Sequence, residues 1–117
     1  NEELRNKINL LSKFNDVIIL TDGDETANKF KELSISNEKI NIIQLTDIDG
    51  NFERIESLFS ENDKEKEKIK SIINNKSFET SSLFKNIIFD LKEELDEETI
   101  NNFNKVLCFL RLFRINQ

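Results

Sequence analysis

The stretch Val17-Ile18-Ile19-Leu20-Thr21-Asp22-Gly23-Asp24 decides how this chain folds. Its first four residues form a continuous, mostly β-branched apolar run. A strand apolar on both faces belongs in a parallel sheet covered by helices. The Asp-Gly pair then turns the chain. Ala27, Phe30 and Leu33 share one side of a short helix expected over 25–33, with Asp22 or Asp24 as its cap. Ile40 to Leu45 reads as a second strand. Strand, helix and strand at this spacing make a βαβ unit, so the two strands should run parallel. Upstream, Leu4, Ile8, Leu11 and Phe14 predict a helix over 3–14 with one apolar stripe.

The second half reads as helical. Ser60 is the expected N-cap of a helix over 61–75, with Ile69, Ile72 and Ile73 turned inward. Its alternating Glu and Lys residues make a solvated face. Phe78 to Ser82 is a break. Phe84, Ile87, Ile88, Leu91 and Leu95 mark a further helix. Asp96 should cap a last one whose stripe is Ile100, Phe103, Leu107, Leu110 and Phe113, with Arg111 and Arg114 at its C-terminal end. The division expected is an α/β core over 1–60 and a helical extension over 61–117. Most of the ten phenylalanines lie on these stripes and read as core. Cys108 reads as a small buried hydrophobe.

Composition removes whole classes of chemistry. The chain has 117 residues, enough for one domain, and a net charge of −6. That acidity argues against a broad basic face for nucleic acid. There is no histidine, which excludes Ser-His-Asp and Cys-His catalysis and imidazole ligands. One cysteine excludes an internal disulfide and a cysteine zinc site. Metal chemistry here must use oxygen ligands, which suits Mg²⁺, Mn²⁺ or Ca²⁺. No apolar run reaches membrane-span length, so a cytoplasmic location is expected. The absence of methionine, even at position 1, suggests a fragment or a processed chain.

The acids gather where strands are expected to finish. Asp22 and Asp24 follow the first strand. Asp47 and Asp49 follow the second, with Glu53 and Glu56 close behind. In an open parallel sheet, ligands bind beyond the carboxyl ends of the strands. Two carboxylates at i and i+2, with Gly23 between, can face one ion, and clustered anions favour a cation. The plain alternative is a turn and helix cap. For Asp47 and Asp49 a plain turn is the better reading. A calcium loop fails at both places. The twelfth position holds Leu58 counted from Asp47 and Leu33 counted from Asp22, where a bidentate glutamate is needed.

The stretch from Val17 to Asn28 resembles the strand and D-x-D motif of TOPRIM domains, shared by topoisomerases, primases and nucleases of the OLD (overcoming lysogenization defect) family. Arg54-Ile55-Glu56-Ser57-Leu58-Phe59 is similar to the I-E-D-L segment of the OLD type. The helical tail from Ser82 resembles the helices that follow TOPRIM in its ATPase-linked members. The resemblance covers roughly residues 15–113. It implies an α/β, Rossmann-like fold and phosphodiester hydrolysis with Mg²⁺ or Mn²⁺. Asp22 and Asp24 would be the metal-binding and catalytic acids and Glu56 a further metal ligand. It also implies DNA as substrate of the full-length parent, an ATPase domain in the same chain or a partner, and a homodimer in foreign-DNA defence. Ser57 replaces the second acid of the I-E-D-L segment. Glu2 and Glu3 begin a helix, so nothing matches the glutamate of the family's first strand. A truncated or inactive copy is therefore expected.

Two other readings stay open. Asp22-Gly23-Asp24-Glu25-Thr26 also fits D-x-D-x-T of haloacid dehalogenase-like phosphatases, with Thr46 at the second strand end. A regulatory TOPRIM remnant packed on an ATPase is the third.

Overall fold

The computed structural model describes residues 2–74 and 86–115. The chain is mixed α/β and divides into two compact units, Asn1–Gly50 and Asn51–Gln117. Among the described residues no helix is long and apolar enough to cross a membrane.

The first unit contains helix α1 (Glu2–Ser12), strand β1 (Val17–Thr21), helix α2 (Asp24–Ser36), strand β2 (Ile40–Gln44) and a single turn, α3 (Leu45–Ile48). The strands pair in parallel, Val17 opposite Ile40 and Thr21 opposite Gln44. This is the expected βαβ unit, but among the described residues its sheet has two strands only. β1 is thus an edge strand, and its four apolar residues are half-buried, not enclosed. Ile8, Leu33 and Ile40 form the core, with Val17, Ile19 and Phe30 packed against it. Helix α2 runs three residues beyond the expected 33, and the strand from Ile40 stops at Gln44, where Leu45 begins a helical turn.

The buried face of α1 differs from the expected stripe. Ile8 is inside, but its buried companion is Ser12, while Leu4, Leu11 and Phe14 are exposed. The reason is bonding. Ser12 Oγ donates to Asn9 O at 2.8 Å and accepts from Asn37 Nδ2 at 2.8 Å. Arg5 also reaches α2, donating to Lys29 O at 2.9 Å. These polar contacts rotate α1 away from the face its leucines predict.

The second unit contains a 3-10 turn (Ile55–Leu58), α4 (Glu61–Lys64), α5 (Glu67–Asn74), a π turn (Asn86–Asp90), a 3-10 turn (Lys92–Glu94) and α6 (Glu97–Ile115). The expected break at Phe78 to Ser82 lies outside the described residues, as does Phe84. Leu58, Phe59, Ile69, Ile87, Phe103 and Val106 are buried, and Phe59 meets Phe103 edge-on with ring centroids 5.2 Å apart. Phe52, Phe59 and Phe103 are buried, as the reading of most phenylalanines as core expects, whereas Phe14 and Phe89 are exposed.

A buried carboxylate organises this unit. Ser60 caps α4 as expected, its Oγ accepting from the Asp63 N–H at 3.1 Å. Asp63 is fully buried. Its Oδ2 accepts from the Asp96 N–H at 2.9 Å and from Thr99 Oγ1 at 2.5 Å. Its Oδ1 faces Lys66 Nζ at 2.8 Å. Thr99 Oγ1 also accepts from the Ser60 N–H, and Ser60 Oγ donates to Asp96 at 2.6 Å. Lys66 donates as well to the Glu94 carbonyl. The charge ladder expected along one helix over 61–75 is therefore two helices, with Lys66 between them turned to Asp63.

Thr99 also fixes the rotation of α6. Its buried face is Thr99, Phe103 and Val106, at i, i+4 and i+7. Of the expected stripe only Phe103 is fully buried, since Ile100, Leu107, Leu110 and Phe113 are half-buried. Cys108 falls on the outer side and is exposed, which corrects its reading as a buried hydrophobe.

Burial pushes the Asp63 carboxyl up. The hydrogen bonds from Lys66, Thr99 and the Asp96 N–H, with the Lys66 charge, outweigh that and hold it below its ordinary value. A carboxyl depressed by folding stabilises the fold above its unfolded pKa, and that stability is lost as pH falls toward the folded value. Cooperative unfolding of this unit should therefore set in as pH drops below ~4, the ordinary carboxylate range. Asp63→Ala removes the carboxylate partner of Lys66 and leaves the Asp96 N–H and the Thr99 hydroxyl without their acceptor, and should cost about 3–5 kcal/mol. Both are read by circular dichroism in urea at stepped pH, since the chain has no Trp or Tyr. An acid limb unchanged in Asp63→Ala would separate the two.

Candidate functional site

The acids that sequence places at the strand ends meet different fates. Asp22 follows β1 and is exposed; among the described residues its carboxylate makes no hydrogen bond or ion pair. Asp24 is the first residue of α2. The N-cap between them is Gly23, and no side chain caps this helix. Asp22 is thus not consumed as the cap that a plain turn would make of it. Gly23 has φ −173° and ψ 169°, extended backbone open to any residue. A Cβ there would meet nothing within 4 Å. The turn does not require glycine.

One residue before Asp22 comes a hydroxyl without a partner among the described residues. Thr21 ends β1 and is only 4% exposed. Its Oγ1 is buried and finds no hydrogen-bond partner among the described residues. Alternation along a strand puts Thr21 on the same face as Val17 and Ile19, the face that packs on α2 and α1. An orphan buried hydroxyl costs about 1–3 kcal/mol. Sequence reading missed it, because a strand-end threonine carries no signal of how its hydroxyl is paired.

Asp47 behaves as the plain-turn reading expected. It sits in α3, and its Oδ2 accepts from the Gln44 N–H at 2.9 Å, half of a reciprocal capping box. Asp49 is the residue that ends α3. Thr46, which the phosphatase reading would use, lies in the same turn and is exposed. Glu56 belongs to the 3-10 turn of the second unit and is half-buried, whereas Asp22 and Asp24 belong to the first. Glu53 is exposed. Among the described residues no three Asp, Glu or Cys side chains stand together as a set that could hold a metal.

The second unit has its own acidic cluster in Asp63 and Asp96, but Lys66, Ser60, Asn62 and Thr99 already satisfy it. It is a packing device. A shallow groove of about 540 Å³ lies over Glu67, Lys68, Ser71, Ile72, Asp90 and Leu91. Its mixed charges select no particular ligand.

No family model matches the sequence, and no curated protein or solved structure matches it.

Since α2 starts without a side-chain cap, Gly23→Ser should supply one and also remove the flexibility of glycine in the unfolded chain. The expected gain is about 0.5–1 kcal/mol in denaturant midpoint experiments. A loss of stability would mean that the Gly23 backbone is constrained by something besides α2.

Proposed function

We propose that the chain is the TOPRIM-like α/β portion of a metal-dependent DNA nuclease of the overcoming-lysogenization-defect type, in which Asp22 and Asp24 present Mg²⁺ or Mn²⁺ to a phosphodiester. The observation that carries this reading is the unspent carboxylate of Asp22 at the C-terminal end of β1. It sits where parallel α/β sheets bind ligands, with the orphan Thr21 hydroxyl next to it in sequence. All the donors are hard oxygens, the kind these cations choose over softer metals. When bound, the ion supplies charge stabilisation at phosphate and a water of lowered pKa. The chain's own acids hold and orient; neither histidine nor cysteine is needed. DNA and an ATPase domain, in the same chain or a partner, complete the assembly proposed for the parent.

One observation favours a second reading. Among the described residues no three His, Cys, Asp or Glu side chains group as a metal site, which suits a non-catalytic remnant that regulates or docks on an ATPase.

Thermal unfolding separates the two. With Mn²⁺ at about ten times its dissociation constant, binding stabilises the folded chain by about 1.4 kcal/mol, a rise of several degrees. The double variant Asp22→Asn with Asp24→Asn should lose this rise. Thr21→Val should behave differently from both: its metal-free stability rises by about 1 kcal/mol as the orphan hydroxyl disappears, while its Mn²⁺ response weakens. A wild-type curve that stays put at millimolar Mn²⁺ removes the nuclease reading and leaves the remnant.

A further inference from the structure

We propose that the outer edge of β1 is a docking site for an extended, apolar partner strand that carries Lys or Arg at both ends. The inference is independent of the metal reading and rests on which backbone groups the sheet has used.

The Val17 N–H donates to Lys39 O at 2.8 Å, and Val17 stands opposite Ile40. In a parallel ladder the groups facing one neighbour recur every second residue. Val17, Ile19 and Thr21 therefore turn their N–H and C=O groups to β2. Ile18 and Leu20 turn theirs outward. On β2 the outward residues are Ile40, Ile42 and Gln44. Two of their three N–H groups are already taken: Ile40 donates to Asn37 O at 3.0 Å, and Gln44 to the Asp47 carboxylate at 2.9 Å. One edge of the sheet is thus closed at both ends by local hydrogen bonds. The other is open. Among the described residues, no backbone bond beyond β2 reaches Ile18 or Leu20.

Natural edges are blunted by proline, lysine or a bulge. Val17-Ile18-Ile19-Leu20 has none of these, so the open edge lacks the usual protection. Strand addition uses such an edge, with main-chain bonds for affinity and side chains for selectivity. The side chains here state what fits. Both faces of β1 are aliphatic, so the added strand must be apolar on both faces. Each end carries an exposed acid, Asp16 before the strand and Asp22 after it. They lie about 20 Å apart along an extended chain. A second copy of this chain fits poorly. Antiparallel pairing centred on Ile19 sets Asp16 against Asp22 of the other copy, twice, and parallel pairing sets like acids side by side. Like charges directly opposite destabilise a strand pair. A strand with basic ends turns both repulsions into attractions.

The probe is a synthetic peptide of about nine residues, Val, Ile and Thr between terminal lysines, long enough to span both acids. It is added to the whole chain in EDTA, so the outcome does not depend on bound metal. Amide exchange at Ile18 and Leu20 should slow at least about tenfold, with Ile42 unchanged. The same peptide N-methylated at alternate residues should give no protection. Exchanging both acids, Asp16→Lys with Asp22→Lys, should switch the preference to a glutamate-ended peptide. Three results would each overturn the proposal: no slowing at millimolar peptide, equal slowing by the N-methylated peptide, or Ile18 and Leu20 amides already protected in a dimer detected by sedimentation.

Discussion

Buried hydrogen-bonding groups must find partners, and in this protein that constraint decides how the elements are turned. An unmet buried donor or acceptor costs about 1–3 kcal/mol, comparable to burying one more aliphatic side chain. In both units a small polar residue wins that contest. Ser12 goes inside because its hydroxyl bridges Asn9 and Asn37, and Leu4 and Leu11 are left facing water. Thr99 goes inside because its hydroxyl joins Asp63 to the Ser60 N–H, and α6 is rotated accordingly. Asp63 is the extreme case. A lone buried carboxylate would be prohibitive, so its two oxygens collect Lys66, Thr99 and a backbone N–H. Once those partners are fixed, the N-terminus of α6 and the turn after α4 are fixed as well.

The same constraint separates what could be read in the sequence from what could not. Both strands and their parallel pairing were legible, because a four-residue, mostly β-branched apolar run followed by a helical spacing leaves little choice. The N-cap Ser60 was legible, because a hydroxyl ahead of acidic residues is a local signal. The faces of α1 and α6 were not. Hydrophobic periodicity counts leucines and phenylalanines, and it gives no weight to a serine or threonine that hydrogen-bonds across to another element. Cys108 was misread for the same reason: its apolar neighbours in sequence lie partly on the outer side of α6, once Thr99 has set the rotation. The acids divide similarly. Asp47 as a local cap was readable from short range, whereas the assignment of Glu56 to a different unit from Asp22 depends on long-range packing.

Local bonds also explain why the two edges of so small a sheet are unequal. Asp47 reaches back over three residues to Gln44, and Asn37 turns the chain into Ile40. Each closes a donor that would otherwise be available to another strand. These are the same residue types that make good turns, so capping β2 costs nothing beyond the turns already needed. β1 begins and ends differently. Asp16 and Asp22 flank it, and neither carboxylate folds back onto the strand backbone through any hydrogen bond among the described residues. The charges stay at the rim of the open edge, and the aliphatic run between them is left to pair.

Thr21 stands against this pattern. Asp63, the other buried oxygen-bearing side chain with a demanding acceptor, is met by Lys66 at 2.8 Å. Thr21 Oγ1 is met by nothing among the described residues. Valine has nearly the same shape, suits a strand as well, and would carry no orphan hydroxyl. A chain that spends Ser12, Ser60 and Thr99 so fully has no packing reason to hold a hydroxyl idle at the end of β1. Local rules broken in an otherwise consistent structure point to function more than to folding. The hydroxyl lies one residue before Asp22, whose carboxylate has no hydrogen bond or ion pair among the described residues. The buried hydroxyl without a partner at Thr21 and the exposed carboxylate at Asp22 are thus neighbouring residues of the chain at the end of β1.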